Sequence, residues 1–298
     1  MLIKVNVKFP NFVFIHLILK TMHCYLNGEI MPVEQASLQI NDLSLLRGYG
    51  LFDYFRTYNG VPFQWDWYWG RFTKSAEVLR LPVAMTQAQT SEVLAELYRL
   101  ADKPDIAYRF VLTGGYSPDS VSVVKPNFLI IAENLPKDNP EGRHRGIKVL
   151  PFEFVRDLPK LKSTNYLHMI RLAAEMKSQG AADLLYHKEG IVSELTRSNF
   201  FIFKGDTLIT PNENILHGIT RRVVLEMAEK DFKVEIRPLF FGELAEADEA
   251  FTTSTTKWVM PVVQIGRQIV GEGTPGKRTL HLLAQFEELV ENYGMIKL

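Results

Sequence analysis

The sequence predicts an α+β protein whose helices and strands are mixed within each of two halves. Three observations support this prediction. Short apolar and aromatic runs typical of strands occur along the chain, helical periodicity occurs in both halves, and residues 135–142 form a polar stretch containing proline and glycine between them. A chain of 298 residues is long enough for two medium-sized domains. We therefore expect a small domain at 22–135, a linker at 136–142 and a larger domain at 143–298.

The first half is predicted to begin with strands and to continue with two helices. Residues 51–58 are aromatic and extended in character, and Asn59-Gly60 supplies the two residues that a type I′ hairpin turn requires. Apolar and small side chains share one face of a helix over 66–80, and Thr86 is a candidate N-cap for the next helix. Two further strands are expected, at 106–112 and 128–132.

The second half is predicted to alternate between helices and strands. A helix is expected at 165–179, because Gly180 follows it as the glycine that commonly ends a helix. Another helix is expected at 219–230, and an amphipathic helix closes the chain at 277–292. The strands are expected at 183–187, 191–194, 199–203, 207–209, 233–238, 249–253 and 258–265.

Charge and cysteine content narrow the classes of function. Lysine plus arginine and aspartate plus glutamate each number 34, so the net charge at neutral pH is zero. Without a basic field, neither nucleic acid nor an acidic membrane is an expected partner, and a small-molecule substrate is favoured. Cys24 is the only cysteine, which excludes an intramolecular disulfide and a cysteine-based metal cluster and fits a reducing cytoplasm. We expect no metal.

The N-terminal 21 residues have a composition of their own. Residues 12–19 are apolar apart from His16 and have lysines on both sides. This run is too short to span a bilayer, and no small-x-small cleavage site follows it. The segment after Met22 reads as the opening strand and turn of a folded domain. We expect Met22 to be the physiological start and residues 1–21 to be an upstream extension.

Two side chains carry the most specific chemistry in the sequence. Lys162 lies in Lys-Ser-Thr-Asn-Tyr, and Glu194 precedes Ser198 and Asn199. Each alone is more often a solvated surface residue. A lysine amine, however, forms a Schiff base with an aldehyde, and an acidic residue keeps a pyridine nitrogen protonated so that the ring accepts electrons. Together they are what a pyridoxal-phosphate enzyme requires.

Three further segments have the chemistry of a phosphate site. Gly218-Ile219-Thr220 opens a helix, and backbone amides at a helix N-terminus bind phosphate. Ser254 and Thr255 add hydroxyls from a polar loop. Arg71 supplies a planar guanidinium suited to bidentate phosphate binding.

These segments, in this order, resemble the class IV aminotransferases, also called fold-type IV pyridoxal-phosphate enzymes, over nearly the whole chain. The resemblance implies a small N-terminal α/β domain, a larger mixed α/β-barrel-like domain, the cofactor pyridoxal 5′-phosphate and a homodimer. It departs from the family at Tyr68, where a histidine usually stands three residues before Arg71. The catalytic residue it implies is Lys162. The cofactor-binding residues it implies are Arg71, Lys162, Tyr166, Glu194, Ser198, Asn199, Gly218, Ile219, Thr220, Ser254 and Thr255.

Transamination is the reaction that the resemblance implies, with Lys162 moving a proton as general base and acid. Arg109 and Arg56 resemble arginines of the branched-chain enzymes, which favours an L-amino acid with an apolar or branched side chain and 2-oxoglutarate as partner. An aromatic-lined site that includes Tyr108 and Trp258 is also expected, and a position in the core is an equally open alternative for Trp258. The candidate substrate residues are Phe52, Tyr54, Arg56, Arg109 and Thr256.

Two alternatives stay open. The two-residue gap between Lys162 and Asn165 resembles D-amino acid aminotransferases and aminodeoxychorismate lyases, and the latter release pyruvate and 4-aminobenzoate. Tyr54 stands where branched-chain enzymes usually have glycine, which puts the branched-chain substrate in question. Against D-specificity, residues 117–121 lack the arginine and histidine that the D-specific enzymes carry there.

Overall fold

The computed structural model describes residues 22–295, which are organised around two β-sheets. The predicted extension at 1–21 lies outside the described residues. Among the residues that are described, no helix has the length and apolar character needed to cross a bilayer.

The first sheet belongs to the N-terminal half and is antiparallel, with the strand order β2-β1-β6-β5-β3-β4. Its strands are β1 His23–Leu26, β2 Glu29–Pro32, β3 Gly50–Tyr58, β4 Val61–Pro62, β5 Ala107–Thr113 and β6 Asn127–Glu133. The helices of this half are α1 Leu43–Arg47, α2 Trp65–Val78 and α3 Gln87–Ala101, with a 3₁₀ turn at Val33–Gln35.

The second sheet contains ten strands and belongs to the C-terminal half. They are β7 Ile147–Glu153, β8 Asp183–Lys188, β9 Ile191–Leu195, β10 Asn199–Lys204, β11 Thr207–Thr210, β12 Lys233–Ile236, β13 Leu239–Phe240, β14 Glu249–Ser254, β15 Trp258–Ile265 and β16 Gln268–Ile269. The helices are α4 Pro140–Arg145, α5 Leu167–Arg171, α6 Ala173–Ser178, α7 Ile219–Ala228 and α8 Lys277–Glu291, with a 3₁₀ segment at Phe241–Glu246.

Six strands of the second sheet form a closed ring. The order β10-β14-β15-β7-β8-β9 returns to its start because β9 and β10 pair through Glu194 and Asn199. This confirms the predicted barrel-like domain. It also means that the ring closes at two of the residues that the sequence singles out for cofactor binding.

Strand β10 is buried on both faces, as its sequence of apolar residues requires. Phe200 and Ile202 belong to one buried cluster, whereas Phe201 and Phe203 belong to another that includes residues of α7 and α8. Because side chains alternate across a strand, the two faces are separated by a single backbone. The strand that carries Asn199 is thus fixed from both sides.

Most predicted elements are present, and two differ. The helix expected at 165–179 is two short helices, α5 and α6, that meet at Leu172. The segment expected to be an irregular linker includes the start of α4. This helix begins there because the Asn139 side chain accepts a hydrogen bond from the Gly142 amide and Pro140 occupies the first helical turn. Thr86 forms the predicted cap, in a capping box with Gln89.

The two halves share a buried core. Phe63 of the first half lies 6.1 Å, ring centre to ring centre, from Phe286 of α8. The amide of Asn59 donates to the backbone carbonyls of Glu291 and Tyr293. The domain boundary at 136–142 stays a prediction.

Candidate active site

Two adjoining cavities lie where the two sheets meet. The outer cavity has a volume of about 610 Å³ and is lined mainly by β3, β5 and the loop after β14. The inner cavity is narrower and extends to the start of α7. Both are lined by the same five residues, Lys162, Tyr166, Arg197, Ser254 and Thr255, which therefore mark their junction.

Lys162 is held in place by the first sheet. The Phe52 amide of β3 donates to the Lys162 carbonyl at 2.9 Å, and Ser163 forms an antiparallel bridge with Leu51. Although part of Lys162 contacts solvent in the cavities, the surrounding protein removes enough water to lower the pKa of its amine to about 8. Its Nζ lies 4.7 Å from the ring centre of Phe52. The amine is thus placed, and its pKa set, for reaction near neutral pH.

Glu194 is buried and fully bonded at the inner end of the site. Arg156 Nε donates to its Oε1 at 2.8 Å, and the Leu216 amide donates to its Oε2 at 2.9 Å. Burial raises the pKa of the Glu194 carboxyl, while Arg156 acts in the opposite direction. Sequence reasoning missed Arg156, whose only signal was its place in the same loop as Lys162. Its guanidinium also donates to the Leu161 carbonyl at 3.0 Å, so one side chain ties the lysine loop to Glu194.

The start of α7 lines the inner cavity with free amides. Gly218 is the N-cap, and the amides of Ile219 and Thr220 have no partner within the helix. A Cβ on Gly218 would lie 2.2 Å from Asn199 Oδ1, so no other residue fits here without movement. The helix expected to begin at Gly218-Ile219-Thr220 is present.

Two hydroxyls near this helix are buried without a partner. Ser198 Oγ and Thr253 Oγ1 make no hydrogen bond, although both residues line the inner cavity. Buried polar groups are normally paired, so an orphaned pair in a cavity indicates a place where a polar ligand binds. Thr253 was not among the predicted residues.

Arg71 lines the inner cavity but is already paired. Its Nε and one terminal nitrogen donate to Asp53 at 2.9 and 2.6 Å, and its other terminal nitrogen donates to the His217 carbonyl at 3.2 Å. Sequence reasoning missed Asp53 because a carboxylate on an otherwise apolar strand gives no local sign of its partner on α2. The pair fixes the guanidinium at the edge of the cavity.

Tyr68 has a defined role at the position where the family usually has histidine. Its hydroxyl shares a hydrogen bond of 2.8 Å with Thr255 Oγ1. Burial raises the pKa of Tyr68 to about 12, so the hydroxyl stays protonated. The substitution leaves a hydrogen bond that fixes the loop after β14.

The predicted cofactor-binding residues are brought together. All of them line the inner cavity, namely Arg71, Lys162, Tyr166, Glu194, Ser198, Asn199, Gly218, Ile219, Thr220, Ser254 and Thr255. Of the predicted substrate residues, four line the outer cavity, namely Phe52, Tyr54, Arg109 and Thr256.

Arg56 lies outside both cavities. It is two residues beyond Tyr54 on the same face of β3, about 7 Å further along the strand. Its guanidinium lies 4.3 Å from the ring centre of Tyr58 and donates to the Thr57 carbonyl. The structure therefore does not bring Arg56 together with the other candidate residues.

The expected aromatic lining is only partly present. Tyr108 pairs with Phe55 across the sheet, on the face opposite to Tyr54, and its hydroxyl donates to the Leu94 carbonyl in the core. Trp258 packs against Phe286 rather than lining a cavity. The expectation was wrong for Tyr108, because strand alternation places its ring in the core. For Trp258 the alternative of a core position agrees with the structure.

Arg109 is neutralised where it lines the outer cavity. Its guanidinium and the Glu133 carboxylate form two hydrogen bonds, one of them 2.9 Å long. The guanidinium also lies 5.0 Å from the ring centre of Tyr54. A charge balanced in this way leaves the outer cavity without a free cation on β5.

A second buried pair fixes the loop after β14. Lys257 Nζ donates to Asp183 Oδ2 at 3.0 Å, and the Thr196 hydroxyl donates to the other oxygen of Asp183. Because Thr196 belongs to the turn between β9 and β10, Asp183 joins that turn to the loop containing Ser254 and Thr255. The Asp183 carboxylate thus links the two segments that carry Arg197 and Ser254 at the junction of the cavities.

The sequence is similar to those of known proteins over most of its length. A profile of the family described as amino-transferase class IV matches residues 50–265. A putative branched-chain-amino-acid aminotransferase of Methanocaldococcus jannaschii is 31% identical over 285 residues, covering 92% of this chain and 98% of the relative. A D-alanine aminotransferase of Bacillus licheniformis is 29% identical over 266 residues, covering 87% and 93% of the two chains.

A solved structure confirms the fold. The branched-chain amino acid aminotransferase of T.th., crystallised with pyridoxamine 5′-phosphate, superposes with a TM-score of 0.85 at 24% identity. The superposition covers 92% of this chain and 95% of that one. The barrel-containing architecture predicted from the sequence is therefore the one that the chain adopts.

Proposed function

Because the chain belongs to the class IV aminotransferase family, we propose that it transfers an amino group from an L-amino acid with an apolar or branched side chain to 2-oxoglutarate. The relatives that match this chain are named aminotransferases, which supports a pyridoxal-phosphate-dependent transaminase. The observation that carries the assignment of the site is the position of Lys162 at the junction of an inner, polar cavity and an outer, largely apolar one.

The residues of the inner cavity fit pyridoxal 5′-phosphate. The free amides at the start of α7 and the unpartnered hydroxyls of Ser198 and Thr253 are donors without an acceptor. Such donors suit a phosphate. Glu194, which lines the same cavity, suits a protonated pyridine nitrogen. When bound, the cofactor supplies an aldehyde for the Lys162 amine and a ring that accepts electrons.

Lys162 is the group that moves a proton. With a pKa of about 8, a sizeable fraction of its amine is neutral near neutral pH and accepts a proton from the α-carbon of the substrate. The same amine then returns the proton one step later. The Phe52 amide and the Ser163 bridge hold the lysine backbone during both events.

The lining of the outer cavity supports an uncharged substrate side chain. Phe52, Tyr54, Val111 and Met169 supply apolar surface. Arg109 is paired with Glu133 and so does not select for an acidic side chain by itself. The choice of 2-oxoglutarate rests on the resemblance of Arg109 to an arginine of the branched-chain enzymes, and it requires the distal carboxylate to compete with Glu133.

A substrate panel tests the proposal. The purified, cofactor-loaded protein is offered L- and D-amino acids with 2-oxoglutarate, and aminodeoxychorismate alone. We expect glutamate to form from L-leucine or L-valine. Glutamate formation from D-alanine instead would establish the D-specific alternative, and 4-aminobenzoate without an acceptor would establish the lyase. No product from any of these would contradict the proposal.

We further propose a cytoplasmic homodimer. The single cysteine, Cys24, is buried and fits a reducing compartment. Ile40, Leu45, Val121 and Val124 are each at least two-thirds exposed on two neighbouring segments, which hydrogen bonds join at Ser117 and Arg47. An exposed apolar surface of this kind suits a second copy of the chain.

A further inference from the structure

We propose that Arg197 binds the α-carboxylate that the amino donor and the keto-acid acceptor have in common. This assignment rests on the proposed function and adds the group that recognises its substrates. It comes from a comparison of the cations that line the two cavities, which are Arg71, Arg109, Arg156, Lys162, Arg197 and Lys257.

Four of these six cations already have a carboxylate partner at 3.0 Å or less, and they are Arg71 with Asp53, Arg109 with Glu133, Arg156 with Glu194, and Lys257 with Asp183. Lys162 is the reacting amine. Among residues 22–295, Arg197 makes no hydrogen bond or ion pair, although it is flanked by buried residues on both sides. It is therefore the cation that remains for a substrate anion.

The position of Arg197 matches where the α-carboxylate must lie. The α-carbon has to be within reach of the Lys162 amine, because that amine takes its proton, and the carboxylate is one bond away from the α-carbon. Arg197 lines both cavities, as Lys162 does, whereas Arg109 lines the outer cavity alone. Tyr166 lines both cavities as well; burial raises the pKa of its hydroxyl to about 12, and the charge of Arg197 acts in the opposite direction.

The backbone around Arg197 is rigid while its side chain is free. The Leu195 amide donates to the Ser198 carbonyl at 2.8 Å, closing the turn between β9 and β10, and the Thr196 hydroxyl bonds to Asp183. Because the backbone is already fixed, only the side chain has to be ordered when it binds, and its planar fork matches the two oxygens of a carboxylate. The α-carboxylates of the amino donor and of the keto-acid acceptor would both bind Arg197. The distal carboxylate of a dicarboxylate would instead lie near Arg109.

Binding of an unreactive ligand pair tests this assignment without turnover. Calorimetric titration of the cofactor-loaded protein compares 4-methylpentanoate with its neutral amide, 4-methylpentanamide. The variants are Arg197→Gln and Arg197→Lys, and the matched control is Arg99→Gln, an exposed arginine paired with Glu96 on α3. We expect Arg197→Gln to weaken carboxylate binding by roughly ten- to a hundredfold and to leave amide binding unchanged. Arg197→Lys should be intermediate, because it keeps the charge and loses the fork.

Steady-state kinetics add a second readout. In Arg197→Gln, KM should rise for the amino donor and for 2-oxoglutarate alike, with the cofactor absorbance band unchanged. Equal carboxylate affinity in the wild type and Arg197→Gln would overturn the assignment. So would loss of the cofactor band in Arg197→Gln, since that would place the arginine on the cofactor. Absence of transamination by the wild type would contradict the proposed function, while the titration would still decide the role of Arg197.

Discussion

At the scale of single residues, the site consists of charges that are paired before any ligand binds. Asp53 holds Arg71, and Glu194 holds Arg156. Each pair fixes the direction of a guanidinium or carboxylate, so little reorganisation accompanies ligand binding. Lys162 and Arg197 are the exceptions, since no carboxylate of the described residues pairs with either of them, and burial lowers the pKa of Lys162.

Replacing Lys162 is expected to abolish catalysis while the fold is kept. Lys162→Ala should lower kcat by roughly 10²- to 10⁴-fold, because the group that moves the proton is lost. A kinetic assay measures kcat, and circular dichroism measures whether the fold is kept. Lys160→Ala is the matched control, since Lys160 lies two residues away and lines neither of the two cavities. Equal losses in both variants would contradict the assignment.

The amine of Lys162 is expected to titrate at unusually low pH. Only the neutral amine is a nucleophile, so modification of the cofactor-free protein by an amine reagent should rise with pH through a midpoint near 8. In the denatured protein the midpoint should move up toward the ordinary lysine value of 10.5. Peptide mass spectrometry measures the label on Lys162, with the exposed Lys177 as an internal reference for reagent decay. A native midpoint near 10.5 would refute this expectation.

Removing Arg156 is expected to destabilise the protein through Glu194. Arg156→Met leaves a buried carboxylate without its cation, which costs about 3 kcal/mol or more in the free energy of unfolding. Urea denaturation of the cofactor-free protein measures the loss. The double variant Arg156→Met/Glu194→Gln should recover part of it, because no buried charge is then left unpaired. If the loss in the free energy of unfolding of the double variant equalled the sum of the losses of the two single variants, Arg156 and Glu194 would be acting independently.

At the scale of elements, several residues of the inner cavity lie at the ends of strands and helices. Glu194 lies near the end of β9, Asn199 begins β10, and Ile219 begins α7. The pairing of Glu194 with Asn199 closes the strand ring, and the Asn199 amide donates to the Leu216 carbonyl at 2.7 Å. The strand pairing that closes the barrel therefore also brings together two residues that line the inner cavity.

The close approach at Gly218 gives a prediction for this element. Gly218→Ala places a methyl group 2.2 Å from Asn199 Oδ1 and should force α7 away, costing roughly 1–3 kcal/mol of stability. Cofactor affinity, measured by absorbance titration, should fall as well. Gly242→Ala is the control, because a Cβ there meets nothing within 4 Å. Unchanged affinity in Gly218→Ala would show that the start of α7 does not contact the cofactor.

At the scale of the whole molecule, the two halves contribute to one site. The first sheet supplies Phe52, Tyr54 and Arg109, and the barrel supplies Glu194. Lys162 comes from the second half of the chain, yet its backbone bonds to β3 of the first sheet. The reacting amine is therefore tied to the strand that carries Phe52 and Tyr54, which line the substrate cavity.

The proposed dimer gives the prediction at this scale. Leu45→Glu places a charge on the exposed apolar surface of α1, where Leu45 is 68% exposed, and should convert the dimer to a monomer because an unpaired charge is costly to bury. Sedimentation velocity measures the outcome. Ile269→Glu, at a position 53% exposed on β16, should remain dimeric. A wild type that sediments as a monomer would contradict the dimer proposal.

The sequence alone determined the cofactor, the reaction class and most residues of the inner cavity, although not Arg156 or Thr253. Its signals there are local, since Lys-x-x-Asn, Gly-Ile-Thr and the segment from Glu194 to Asn199 each lie within a few neighbouring positions. Helix starts such as Thr86 are local for the same reason, because a cap bonds to residues two or three positions away.

Only the tertiary structure decided which charges are free. Arg109 and Glu133 are 24 residues apart, and Arg156 and Glu194 are 38 apart, so strand pairing and barrel closure bring them together. Strand alternation placed Tyr108 in the core, and distance along β3 removed Arg56 from the cavity. Coulomb attraction depends on separation in space, which a linear motif does not contain. Arg197 gains its proposed role because every other arginine that lines the two cavities is paired with a carboxylate.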